Sequence, residues 1–182
     1  MARTKVPAIE GWMSTPPLDE LPEDDGSGIP GVKLIGTRCV DSGTYFFPPE
    51  RVMSRVPGHS GSELVEVELS TRGTLWSYTD AQYQPPTPFV APSDPYEPFC
   101  LAAVELAEEK MVVLGQVIAG VTVDDLRVGM EMELVLGTLD ADDDHEYMIW
   151  KWRPVDAAAQ ATATSTTQSS STQSSSTQSG AE

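Results

Sequence analysis

The chain has 182 residues and a net charge of −17, from 28 acidic and 11 basic side chains. That balance repels nucleic acid and anionic membrane surfaces, which are held by clustered Lys and Arg; it leaves solubility or a basic protein partner as its meaning. Hydrophobic residues make up 40% of the chain, yet no run approaches the ~18 apolar residues of a transmembrane helix, and two cysteines cannot make a disulfide framework, so a reduced, cytoplasmic setting is expected.

Residues 1–35 are rich in Pro, Gly and acids, as in Pro16-Pro17-Leu18-Asp19-Glu20-Leu21-Pro22-Glu23-Asp24-Asp25-Gly26. The first seventeen residues carry basic side chains with no apolar stretch behind them, which argues against a secretory signal. Prolines break any long helix here. The segment is read as an N-terminal arm, either disordered or ordered on a partner, with Trp12 and Leu18 as anchors.

Residues 36–62 are short, turn-rich and without apolar periodicity, a composition that normally needs a metal or a neighbour to fold. Positions 39, 42, 56 and 59 have the spacing of a zinc ribbon, two residues inside each pair and thirteen between the pairs. A tetrahedral structural site takes four Cys or His ligands. Here the positions hold Cys39, Ser42, Val56 and His59, so the ribbon is degenerate and zinc is not expected. A Cys39–His59 nucleophilic pair would require the ribbon to bring the two together; a relic of zinc binding accounts for both residues more simply.

From residue 63 to 155 the pattern is β. Leu64-Val65-Glu66-Val67-Glu68-Leu69 alternates as a half-buried strand does, and Thr74-Leu75-Trp76-Ser77-Tyr78-Thr79 follows the Gly73 interruption. An isolated Gly in such a run marks a bulge or bend, so 64–83 reads as one long bent strand. Residues 98–106 and 110–118 form a hairpin around Glu108 and Glu109. Thr122-Val123-Asp124-Asp125-Leu126 suits the start of a short helix, ended by Gly129. Strands over 131–139 and 146–153 complete the set. Five strands with one short helix between the third and fourth is the order of an OB-fold, a five-stranded Greek-key barrel.

Between the first two strands, residues 84–97 form a Pro-rich loop, stiff and extended, of the kind that carries binding on a barrel. Pro86 and Phe89 are its candidate contacts with substrate or partner. Tyr78, Tyr83, Tyr96 and Phe99 either line an apolar pocket or serve as ordinary barrel core. Arg72, a lone basic residue before Gly73, either meets a ligand phosphate or partner carboxylate or is satisfied by Glu66 or Glu68. Asp140, Asp142 and Asp144 imitate a calcium loop, but His145 stands where its Gly belongs and Lys151 where its bidentate Glu belongs, so a solvated turn is expected. No catalytic set emerges. The tail 156–182 repeats Gln-Ser-Ser-Ser-Thr and is expected to be disordered.

The order of these pieces resembles a known family. Leu69-Ser70-Thr71-Arg72-Gly73-Thr74-Leu75-Trp76-Ser77-Tyr78-Thr79, then Asp94-Pro95-Tyr96, Val128-Gly129-Met130 and Trp152-Arg153-Pro154 are similar to the acyl-CoA-associated OB-fold family numbered thirty-five among the domains of unknown function. The resemblance covers roughly residues 34–154. It implies a non-catalytic subunit beside a thiolase-like or sterol-carrier-type thiolase, or beside a hotdog-fold enoyl-CoA hydratase. The barrel would help shape the CoA-thioester site during thiolysis or retro-aldol cleavage, while the partner supplies the catalytic groups. Family ribbons carry four cysteines, from which this chain departs. A nucleic-acid-binding OB-fold is disfavoured by the charge, and a standalone metal or redox protein by the missing ligands.

Overall fold

A computed structural model describes residues 3–87, 89, 91 and 95–155. The tail 156–182 lies outside the described residues. The strands, in chain order, are β1 (Thr4–Pro7), β2 (Met13–Ser14), β3 (Lys33–Cys39), β4 (Tyr45–Phe46), β5 (Leu64–Glu68), β6 (Arg72–Asp80), β7 (Cys100–Leu106), β8 (Met111–Val117), β9 (Glu131–Ala141) and β10 (His145–Pro154). Five of them close a barrel. β6 pairs with β7, β7 with β8 and β9 with β10, all antiparallel; β8 meets β10 in parallel, and β6 meets β9 to complete the ring. This is the OB-fold topology expected from the strand order. The helix expected between the third and fourth barrel strands is a single 3₁₀ turn, Val123–Asp125. The Asp125 carboxylate accepts the Thr122 backbone N–H at 2.9 Å and its hydroxyl at 2.8 Å.

Alternation fills the barrel. Leu75, Val104, Met132, Met148 and Trp152 point inward and are buried, whereas their sequence neighbours on β6 and β7 face out or are half-covered. Gly73 is required where β6 enters. A Cβ there would lie 2.4 Å from the Glu105 carbonyl oxygen and 2.7 Å from Val104 Cγ1, so a side chain would push β6 off β7. Three residues later the β6–β7 register shifts between Leu75 and Ser77, and Trp76 is the extra residue of the bulge.

The stretch read as one bent strand over 64–83 is two strands in two sheets. β5 pairs with β3, from Leu64 opposite Cys39 to Glu68 opposite Ile35. The crossing takes three residues: Leu69 N–H bonds to Leu34 O at 2.9 Å, Ser70 N–H goes to Glu109 Oε1 at 2.6 Å, and Thr71 O receives the Leu134 N–H at 2.8 Å. Leu69 itself is buried. The chain therefore leaves the ribbon sheet at Leu69, and β5 belongs to that sheet rather than to the barrel.

The N-terminal arm is ordered on its own chain. β1 runs parallel to β10, β2 pairs with β3, and Trp12 stacks edge-on to Phe47 (5.8 Å between ring centres) and tilted on Trp150 (6.3 Å). The reason lies in the barrel. β6 and β9 pair only over Arg72–Thr74 against Glu131–Glu133, given by the pairs Arg72↔Glu133, Gly73↔Met132 and Thr74↔Glu131, which leaves the next part of the β9 edge open. Ile29 closes it with two 2.7 Å hydrogen bonds to Leu136. Gly28 lets the arm lie flat: its φ is +80°, and a Cβ would sit 2.3 Å from Val135 Cγ2. Arg153 fastens the result, giving its Nε–H to Glu133 at 2.8 Å and its Nη1 hydrogens to the Ser27 and Gly28 carbonyls at 3.1 and 3.3 Å.

Candidate interaction face and loop end of the barrel

Because directly paired residues share a face, the register maps the outer surface of β6, β7 and β8 in rows. Thr74, Glu105 and Val112 make one row, Ser77, Ala103 and Leu114 the next, and Thr79, Leu101 and Gln116 a third. The bulge adds Trp76 to the middle row. Trp76 is 61% exposed, Leu114 60% and Val112 46%. Among the described residues the other exposed large apolar side chains are elsewhere: Val40, Val52 and Met53 on the ribbon, Tyr83 in the Pro-rich loop and Val128 before β9. Scattered apolar side chains are ordinary, whereas Trp76, Leu114 and Val112 share the outer face of adjacent strands.

Sequence reasoning missed Trp76 as a surface residue. Strict alternation through 74–79 puts Trp76 and Tyr78 on one face, but the bulge breaks that phase. Leu75 faces in, Trp76 and Ser77 face out, and Tyr78 returns to pack against the core. The signal available was the Gly73 interruption, which announced an irregularity without fixing where it falls.

The candidates named from sequence are placed as follows. Arg72 stands at the mouth of β6 and pairs with Glu131 at 3.1 Å and Glu133 at 3.5 Å. Its neighbours are thus on β9, across the barrel closure, and not Glu66 or Glu68. Tyr96 donates its hydroxyl to the Ala81 carbonyl at 2.6 Å and meets Phe99 edge-on at 6.4 Å. Together they pin the foot of the Pro-rich loop to the end of β6. Tyr83 and Pro86 are exposed above that foot, and Phe89 is half-buried with its N–H on the Pro86 carbonyl at 3.3 Å. Of the set, only Tyr96 and Phe99 are in ring contact.

Phe99 also lines a cavity of about 290 Å³ with Cys100, Gln116, Gly120, Thr138 and Lys151. Burial lowers the Lys151 pKa, and Asp24 partly offsets the shift. Burial, with Asp80 and Asp125 nearby, raises that of the Cys100 thiol, which suits a core side chain rather than a nucleophile.

In the ribbon, Cys39 closes β3 and is fully buried. Both turns persist: Gly43 N–H bonds to Cys39 O at 2.8 Å, and His59 N–H to Val56 O at 3.0 Å. Yet the groups around the Cys39 sulfur are hydroxyls. Hydrogen bonds from Ser42, then Ser54, the Ser42 backbone and Ser62, hold the thiol down to about 6 against the opposing effect of burial. Ser62 also bonds to Asp41 at 2.5 Å. Neutral hydroxyls are not structural zinc ligands, and the described residues hold no group of three or more His, Cys, Asp and Glu able to hold a metal ion. These residues do not fit a zinc centre. In the acidic turn, Asp142 accepts the Asp144 and His145 N–H groups at 2.8 and 2.6 Å and the Tyr147 hydroxyl at 2.9 Å. Those bonds, with the His145 N–H foremost, lower its pKa to about 2. Its lone pairs serve the hairpin.

No helix among the described residues is long and apolar enough to cross a membrane. Residues 66–137 match the family model described as "ChsH2, C-terminal OB-fold domain". A "DUF35 domain-containing scaffold protein" of Methanocaldococcus jannaschii is 28% identical over 127 residues, which cover 68% of this chain and 82% of that protein. A solved structure titled "Ltp2-ChsH2(DUF35) aldolase" is 26% identical with a TM-score of 0.47, covering 67% of this chain and 84% of that one. The family match runs from the end of β5 through most of β9, so over that stretch this chain is similar to the DUF35 OB-fold proteins.

Proposed function

We propose that this chain is a non-catalytic accessory subunit of an acyl-CoA-processing complex, seated beside a thiolase-like subunit that carries out thiolysis or retro-aldol cleavage. The observation that carries this reading is the exposed apolar face made by Trp76, Val112 and Leu114 on a chain of net charge −17. Such a face on a highly charged molecule is a surface meant to be covered. A relative whose name calls it a scaffold protein supports the same role. The Pro-rich loop would act by position. Its exposed Tyr83 and Pro86, stiffened by neighbouring prolines and pinned at Tyr96, would help close the partner's CoA-thioester tunnel and exclude water.

The test is co-expression with a thiolase-like protein, sought among the neighbouring genes. The expected result is a complex that survives gel filtration, with a partner less active alone than in the complex. Failure to co-purify, together with full activity of the partner by itself, would refute the reading.

A further inference from the structure

The apolar face is not symmetric, and its asymmetry says what covers it. Glu105 sits in the same outward row as Val112, and Glu108 lies just beyond in the β7–β8 turn. Both are exposed, and neither has an ion-pair partner among the described residues. At the other end of the face stand Thr79 and Gln116, which carry no charge. The face is thus an apolar centre of Trp76, Leu114 and Val112 with free carboxylates on one side. Trp is the side chain most suited to anchoring an interface through one filled pocket. The bulge at Trp76 is what turns it outward.

Resting on the accessory-subunit reading, we infer that the outer face of β6, β7 and β8 is the docking surface for the catalytic subunit, which presents an apolar socket for Trp76 and a Lys- or Arg-bearing rim opposite Glu105 and Glu108. Charge decides against a second copy as the occupant. Two chains of −17 each repel one another, and the face offers no basic side chain of its own to meet the carboxylates of a second copy. A basic rim relieves the same carboxylates.

The experiment measures binding of the full chain to the co-purified catalytic subunit by calorimetry, at low and high salt, with three variants. Trp76→Ser and Leu114→Gln are expected to weaken binding at both salt concentrations, Trp76→Ser by about 30-fold, the size of an interface hot spot. The double variant Glu105→Lys, Glu108→Lys is expected to weaken it roughly tenfold at low salt, with the difference shrinking at high salt. Unchanged thermal melting of each variant assigns the losses to the surface. Wild-type affinity in the two apolar variants overturns the proposal while leaving the functional reading intact. So does a wild-type chain that sediments as a dimer and becomes monomeric on Trp76→Ser, since the occupant is then a second copy. A wild-type chain that binds no catalytic subunit refutes the functional reading, and this inference with it.

Discussion

Trp12 is where the arm, the ribbon and the barrel meet, and truncating it tests whether they form one cooperative unit. Its ring lies against Phe47 of the ribbon and Trp150 of the barrel, whose own rings are 5.6 Å apart, and its carbonyl receives the Ile35 N–H at 2.8 Å. Trp12→Ala keeps that backbone bond and removes the ring. A fully buried Trp removes 150–250 Å² from water. Trp12 is half-buried, so about 100 Å² at ~25 cal/mol/Å² gives about 2.5 kcal/mol. The two ring pairs, at the low end of their range, bring the cost to roughly 3.5 kcal/mol. For a chain of this size each kcal/mol moves Tm by about 2–4 °C, so the variant should melt roughly 7–14 °C lower. The assay is thermal unfolding followed by circular dichroism, with near-ultraviolet signals for the aromatic cluster. Trp76→Ser is the control and should cost under about 0.5 kcal/mol, as surface substitutions do. A single transition, lowered for Trp12 and unmoved for Trp76, is the expected pattern. A fall below about 2 °C for Trp12→Ala, or a separate early loss of the aromatic signals while the barrel melts unchanged, refutes the claim that the arm is integral.

Three further outcomes follow from the same structure. Arg153→Met should destabilise the fold by about 2 kcal/mol, because it frees the Ser27 and Gly28 carbonyls and leaves the half-buried Glu133 with only the longer Arg72 contact; chemical denaturation measures it, and a change under ~0.5 kcal/mol would contradict the clamp. Incubation with a strong chelator should leave Tm where it is, whereas a large drop together with near-stoichiometric zinc in the purified protein would restore a metal to the ribbon. The Asp142 carboxyl should titrate at about 2, below its unfolded value. Its contribution to stability is therefore present above about 4 and lost as pH falls through about 2. Carbon-detected NMR of that side chain reads the midpoint, and an ordinary aspartate value would show that the three hydrogen bonds to Asp142 do not form.

The barrel strands could be read from the sequence because their signals are local. The 98–106 and 110–118 segments are apolar runs split by a polar turn at Glu108 and Glu109, and they return as the β7–β8 hairpin. What the sequence did not disclose were events that depend on distant partners. Residues 64–83 look continuous because both halves alternate, and the break at 69–71 comes from Glu109, 39 positions away, taking the Ser70 N–H. Arg72 lies near Glu66 and Glu68 in sequence, yet strand pairing sets it beside Glu133. The arm reads as disordered or partner-ordered because its prolines and acids mask any period; what orders it is an unfilled length of the β9 edge, where Ile29 bonds to Leu136, and burial of Ile29, Val32 and Leu34 in the common core. Trp76 is exposed because a bulge moves the phase by one residue, and composition cannot place a bulge to that accuracy.

The same long-range anchoring explains how the turn-rich segment 36–62, read from sequence as a degenerate ribbon, keeps its shape. In an isolated zinc module, metal binding supplies roughly 10–16 kcal/mol, since nothing else opposes the entropy of a turn-rich chain. Here β3 is paired on one side to β2 of the arm and on the other to β5, which leads straight into the barrel. Phe47 packs on Trp12 and Trp150, and Thr37 exchanges 3.0 Å hydrogen bonds with the backbone of Glu50. Serine hydroxyls surround the sulfur of Cys39. The pairings to β2 and β5 and the packing on Trp12 and Trp150 are missing from the segment standing alone, and each adds about 1 kcal/mol or more. A segment held in this way keeps its fold with valine, which cannot coordinate a metal, at position 56. On the accessory-subunit reading proposed above, it serves as the rigid flank of the face that docks.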